Sequence, residues 1–255
     1  MKSYKAYLID LDGTIFRGNQ LIEGADEFVE QLQAKNIPFR FVTNNSSRTP
    51  EKTVEHLKNL GIHVTPEHII TASTATANYI KEKNAFGKAH VIGEHGLFKA
   101  IEDLDLTITN DEQPDYVIMG IDRNINYEKI VQACLFVQRG AQLIATNPDI
   151  RLRTEIGFVP GNGSFVKLIS EVTGVKPIVI GKPEGAMLTF ALEQLKVEPS
   201  DAIMVGDNYD TDIQAGINAR VDTLHVHTGV TAYEDLEKYP IQPTYSIPSL
   251  KDWKF

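Results

Sequence analysis

Apolar residues along the chain fall into two rhythms. Short runs read as buried strands: Tyr7-Leu8-Ile9, 37–42, Ile178-Val179-Ile180, 202–205 and 224–226. Between them lie stretches with apolar residues three and four apart, the spacing of one helical face. Residues 25–35 carry Phe28, Val29 and Leu32 on such a face. Thr49-Pro50 opens the next helix as cap and first-turn proline, Val54, Leu57 and Leu60 line it, and Gly61 ends it. Residues 184–196 and 210–219 supply two further helices. Strand and helix in alternation predict an α/β fold, a doubly wound parallel sheet with helices on both faces.

The middle of the chain repeats the rhythm. Strands are predicted at 89–92, 106–108, 116–119 and 143–146, and helices at 95–101, 127–139 and 164–173. No repeat, low-complexity tract or change in composition marks a linker. Glycine punctuation at Gly174 and Gly181 suits a boundary there, and the other falls between Ser73 and Lys88.

Composition narrows the classes. The chain has 255 residues, 42% of them apolar and 23% charged, as in an ordinary folded protein. A chain of this size buries roughly 70–75% of its unfolded surface and needs no covalent staple. Its one cysteine, Cys134, lies in an apolar helical pattern and reads as a small core residue. A reducing, cytoplasmic setting is expected. Met1-Lys2-Ser3-Tyr4-Lys5 reaches charge too soon for a secretory leader, and no apolar run approaches the ~20 residues of a membrane span, so no membrane partner is expected. With 25 basic against 34 acidic residues the formal charge is −9, which argues against a nucleic acid polymer as partner. One phosphate group bound in a locally positive site remains compatible with that charge.

Candidate chemistry clusters directly after predicted strands. Asp10-Leu11-Asp12-Gly13-Thr14 places two carboxylates two residues apart on a glycine turn. One can attack as nucleophile while the other moves protons. Thr43-Asn44-Asn45-Ser46 offers neutral donors of the kind a phosphate takes. Lys182, in Gly181-Lys182-Pro183, supplies a cation for a transferring phosphoryl group. Gly206-Asp207-Asn208-Tyr209-Asp210-Thr211-Asp212 adds hard carboxylate oxygens, which suit Mg²⁺. Each cluster alone is an ordinary turn or helix cap. Four of them at strand ends converge on the crevice where open α/β sheets bind ligands.

Together these segments resemble the four motifs of the haloacid dehalogenase-like hydrolases, most closely the NagD-like phosphatases. The likeness runs from Asp10 to the closing strands, and the second aspartate of the first motif is what marks the phosphatase branch. It implies a discontinuous, Rossmann-like catalytic core at 1–78 and 180–255 and an inserted α/β cap at 79–179. It also implies roles. Asp10 would attack phosphorus and form an aspartyl-phosphate, and Asp12 would protonate the leaving group and then activate water. Mg²⁺ would be held by the Asp10 and Asp207 carboxylates and the Asp12 backbone carbonyl. Thr43, Asn44 and, less surely matched, Asn45 would bind the phosphate with Lys182 opposite. Asp212 would act from outside the ligand set, orienting Lys182 or a water.

In such a family the cap selects the leaving group. Asn147-Pro148-Asp149, Arg151, Arg153 and the turn at Val159-Pro160-Gly161-Asn162-Gly163-Ser164 are candidates, the last also reading as a helix entry capped by Ser164. His225 and His227 share a strand face but find no third ligand, and the glycines at 93 and 96 make an incomplete dinucleotide pattern. The expected function is hydrolysis of a small phosphorylated metabolite. Phosphotransfer by a mutase and a non-catalytic binding module are the alternatives. The stretch between Asp10 and Thr43 has room for one helix only, against the small helical caps of mutases. The retained Asp10, Asp12 and Asp207 speak against a binding module. A homodimer formed through the cap follows from the resemblance alone.

Overall fold

The computed structural model describes residues 2–83, 87–102, 104–154 and 156–255. The chain divides into two compact units: Met1–Thr43, Pro50–Ile70 and Lys182–Phe255 make the first, and Asn44–Thr49 with Thr71–Gly181 the second.

A six-stranded sheet organises the first unit, in the order Tyr245–Ile247, Asp222–Val226, Ala202–Gly206, Ala6–Ile9, Phe39–Thr43, Ile69–Thr71. The first five run parallel, with Ile9 paired to Val205 on one side and to Phe41 on the other. The chain starts in the middle, winds outward through Phe39–Thr43 to Ile69–Thr71, then returns to wind the other way from Ala202–Gly206. That reversal leaves a switch point between Ala6–Ile9 and Ala202–Gly206, where neighbouring connections diverge and open a crevice.

Strand sequence follows burial: every residue of Ala6–Ile9 and Ala202–Gly206 is buried, as a sheet covered on both faces requires. The helix Ala25–Ala34 buries Ala25, Phe28, Val29 and Leu32. These join Tyr7, Ile9, Phe41, Leu57, Val205, Leu224 and Trp253 in one core. Trp253 satisfies its indole N–H on the Tyr7 hydroxyl at 3.0 Å, which fastens the C-terminal segment to the first strand.

The second unit is built on a five-stranded parallel sheet in the order Ile178–Val179, Gln142–Ala145, Tyr116–Met119, Gly87–Ile92, Leu106–Ile108. Helices Ala72–Glu82, His95–Glu102, Tyr127–Gln138 and Asn162–Thr173 accompany it. Cys134 is buried in its core. The α/β class and parallel sheets are as expected from the apolar rhythm. Several elements were not: the helix Ala72–Glu82, the edge strands Ile69–Thr71 and Tyr245–Ile247, and the hairpins Phe16–Arg17 with Gln20–Leu21 and Arg151–Thr154 with Gly157–Pro160. The last helix of the second unit starts at Asn162 with Gly161 as its cap, two residues before the expected start. The Ser164 hydroxyl donates to the Ile150 carbonyl at 2.5 Å instead of capping that helix.

Candidate active site

The switch point of the first unit gathers the carboxylates. Asp10 follows Ala6–Ile9 directly and its N–H donates to the Val205 carbonyl at 2.9 Å, continuing the ladder one residue past the strand. Asp207 follows Ala202–Gly206 directly. After it the chain enters a wide π-helical turn, Tyr209–Ile213, that carries Asp212 back to the strand ends. Ligand-competent oxygens of Asp10, Asp207 and Asp212 all lie within 4.8 Å of one another.

Lys182 is the counterion. Its ammonium group donates to Asp10 Oδ1 at 2.5 Å, to Asp212 Oδ1 at 2.8 Å and to the Val42 carbonyl at 2.8 Å, with only 1% of the residue exposed. Burial alone would lower its pKa, but Asp10 and Asp212 outweigh that and hold it above the ordinary lysine value. Burial, then the Asp212 charge, raises Asp10 well above the carboxylate range against the pull of Lys182. Asp207 is pushed up to about 7 by burial and by Asp212, although the Val230 N–H and the Thr14 hydroxyl favour its charged form. Three buried carboxylates around one ammonium are thus short of positive charge. An all-oxygen set with that deficit fits a hard divalent cation.

Asp207 is tightly held. Thr14 donates its hydroxyl to Oδ1 at 3.2 Å and Val230 its N–H to Oδ2 at 2.7 Å. The neighbouring glycines are dictated by space: a Cβ on Gly13, which sits at φ +96°, would come within 2.5 Å of Asp207 Oδ2, and one on Gly229 within 1.7 Å. Asn208 N–H donates to Asp212 Oδ2 at 3.1 Å. His225 is fully buried and donates Nε2–H to the Asp207 carbonyl at 3.1 Å, a backbone contact with no part in the carboxylate cluster.

Of the residues singled out in the sequence, Asp10, Thr43, Lys182, Asp207 and Asp212 are buried in the first unit, and Asp12 is there with its side chain exposed. Asn44 and Asn45 fall in the second unit. There the Asn44 amide donates to both Asp149 oxygens at 3.2 and 3.3 Å, and its carbonyl accepts from Asn147 Nδ2 at 2.8 Å. Asn45 Oδ1 accepts the Ser47 and Arg48 N–H groups at 3.0 Å, an Asx turn. Sequence reading missed Thr228, Gly229 and Val230. The run Thr228-Gly229-Val230-Thr231 after a strand was the available signal, by the rule that had found the other four segments.

A parallel sheet that gathers aspartates and one lysine at its switch point defines a class: an α/β protein whose strand-end site suits an anionic group and whose carboxylates could hold a divalent cation. Family models agree. That of the haloacid dehalogenase-like hydrolases matches residues 7–107, and one described as HAD-hydrolase-like matches 179–253. An acid sugar phosphatase of Staphylococcus haemolyticus is 48% identical over 250 residues, covering 98% of this chain and 95% of that protein. A thermostable NPPase double mutant from Geobacillus stearothermophilus superposes with TM-score 0.94 at 50% identity, over 100% of this chain and 99% of that one. NagD from E. coli K-12 does so with TM-score 0.94 at 32% identity and 99% coverage of both. The chain belongs to the haloacid dehalogenase-like hydrolases, in their NagD-like branch, and is a phosphoric monoester hydrolase. Its substrate is a small phosphorylated compound, and hydrolases of this family generally use a divalent metal. Among the described residues no helix is long and apolar enough to cross a membrane.

Proposed function

We propose that the protein hydrolyses small phosphate monoesters, sugar phosphates foremost, with Mg²⁺ and an Asp10-linked phosphoryl intermediate. The carrying observation is the pairing of a buried Asp10, 7% exposed, with an exposed Asp12 on the same turn. Held by Lys182, Asp10 is aimed and shielded from water, as a nucleophile should be; Asp12, two residues on, would give a proton to the leaving alkoxide and take one from the water that follows. Thr43, Asn44, Asn45 and Lys182 would bind the phosphate. Asp10 and Asp207, with the Asp12 carbonyl, would hold the ion, and Asp212 would fix Lys182. When bound, the ion supplies the positive charge that lets an anionic carboxylate approach an anionic ester. The functional division into a core at 1–78 and 180–255 and a cap at 79–179 belongs to this proposal. It runs close to the two units without coinciding, because Asn44–Thr49 and Ala72–Glu82 go with the second. Cytoplasmic residence and a homodimer through the cap are further parts of it. Sugar phosphates lead the list because the Staphylococcus relatives are acid sugar phosphatases.

The test is turnover of p-nitrophenyl phosphate and a sugar phosphate panel, with Mg²⁺ or EDTA, by wild type and Asp10→Asn. The amide keeps the shape and is a far weaker nucleophile, so a loss of about 10³-fold or more in kcat is expected from a folded protein. Turnover surviving in Asp10→Asn would remove Asp10 from the mechanism.

A further inference from the structure

The segment after the strand Asp222–Val226 touches the site twice, at different atoms. The Thr228 hydroxyl donates to the Gly13 carbonyl at 2.7 Å, and two residues on, the Val230 N–H donates to Asp207 Oδ2 at 2.7 Å. From the other direction Thr14, next to Gly13, donates to Asp207 Oδ1 at 3.2 Å. These three bonds close a ring: Asp207, Thr14, Gly13, Thr228, Gly229, Val230 and back to Asp207. Both oxygens of the carboxylate belong to it, and so does the peptide next to the Asp12 carbonyl. Gly229 makes the ring small enough, since any Cβ there would overlap Asp207. Thr228 is itself anchored, its carbonyl accepting from Arg17 at 2.5 Å, and Thr231 ties down the far side by donating N–H to the Asp207 carbonyl at 3.1 Å.

We propose that Thr228 is a positioning residue for the cation site: by holding the Gly13 carbonyl it closes the ring that aims Asp207 and the Asp12–Gly13 peptide at one point. This rests on reading Asp10 and Asp207 as cation ligands. Without the Thr228 hydroxyl the Gly13 N–H still donates to the Phe16 carbonyl at 2.8 Å and the Thr14 N–H to the Leu11 carbonyl at 3.3 Å, but the Gly13 carbonyl loses its hold, and the left-handed turn that carries the Asp12 carbonyl and the Thr14 hydroxyl is less firmly fixed. The carboxylate then loses a fixed direction although its charge is unchanged. Partners that orient a metal ligand in this way typically account for about 10–100-fold in metal affinity.

The experiment is calorimetric titration of Mg²⁺ into EDTA-stripped, dialysed wild type, Thr228→Val and Thr228→Ser, with circular dichroism and urea unfolding of each metal-free protein. Thr228→Val keeps the shape and removes the donor, and about tenfold weaker binding is expected. Thr228→Ser restores the donor and should bind within about threefold of wild type, within the usual context scatter of such effects. With p-nitrophenyl phosphate, Thr228→Val should need more Mg²⁺ for half-maximal rate and regain most of its kcat at saturation. Should Thr228→Val fail to fold, Thr228→Ala carries the same comparison. Equal Mg²⁺ affinity in wild type and Thr228→Val would overturn the positioning role while leaving the cation site standing. So would Thr228→Ser as weak as Thr228→Val, since shape and not the hydroxyl would then matter. Wild type that takes up no Mg²⁺ would overturn the cation site itself.

Discussion

At the scale of single residues, Lys182 carries the largest electrostatic responsibility. It is the counterion for two buried aspartates, so removing it leaves like charges in a dry site. Lys182→Met should destabilise the metal-free fold by about 3–5 kcal/mol, the usual consequence of breaking a buried ion pair from one side. Urea unfolding in EDTA reads this directly, and Mg²⁺ should restore more stability to Lys182→Met than to wild type. An unchanged midpoint in EDTA would mean that the carboxylates shed their charge by taking up protons. The residues of this site were legible because they are chemically specific: an aspartate pair on a glycine turn and a lysine before proline after apolar runs are few in any chain. Thr228 was not, because a hydroxyl gains its role from the carbonyl it meets, 215 residues away.

At the scale of elements, the second unit shows how a polar side chain joins secondary structures. Asn162, 1% exposed at the start of Asn162–Thr173, donates from Nδ2 to the Met119 carbonyl at 3.1 Å and the Asn147 carbonyl at 2.9 Å. It thereby ties a helix N-terminus to the ends of two parallel strands. Asn162→Ala should destabilise the protein by about 1–3 kcal/mol, the cost of leaving a buried acceptor unsatisfied, measured by chemical denaturation. A midpoint within error of wild type would show that water replaces the amide. Sequence reading found the elements with a strong apolar period, such as Tyr127–Gln138 and Tyr116–Met119. It missed Ala72–Glu82, whose buried residues are Ala72, Ser73, Ala75, Thr76, Ala77 and Ile80. Small and hydroxylated side chains can be buried when their hydroxyls find backbone carbonyls, as Ser73 does on Ser46 and Thr76 on Ala72. No apolar stripe announces such a helix. The Arg151–Thr154 and Gly157–Pro160 strands are largely exposed, so they too lacked an alternating pattern.

At the scale of the whole molecule, the unbalanced carboxylates couple stability to pH and to the cation. Asp207 holds its proton to about pH 7 in the metal-free fold, whereas the unfolded chain releases it near the ordinary aspartate value of 3.8. The folded state binds more protons between those values, so this contribution is full below about pH 4 and lost as pH rises through about 7. Asp10 is raised as well and acts in the same sense. A divalent cation competes with those protons and is most effective once they have left. The gain in Tm on adding Mg²⁺ should therefore be larger at pH 8 than at pH 5, as scanning calorimetry would show. An equal or smaller gain at pH 8 would mean that the ion binds without displacing protons.

The reversal in strand order also has a temporal side. A ribosome delivers Asp10 early and Asp207 late, and the Thr14 to Asp207 bond spans 193 residues. Through most of synthesis the nascent chain owns Asp10 with neither its lysine nor its facing carboxylate. Closing so distant a contact is a slow event in folding, because the loop entropy must be met before the pairing rewards it. The partner for one edge of the first strand, Ala202–Gly206, is made only late in the chain. Competence for phosphate chemistry can only follow the docking of that late-made strand beside the early one.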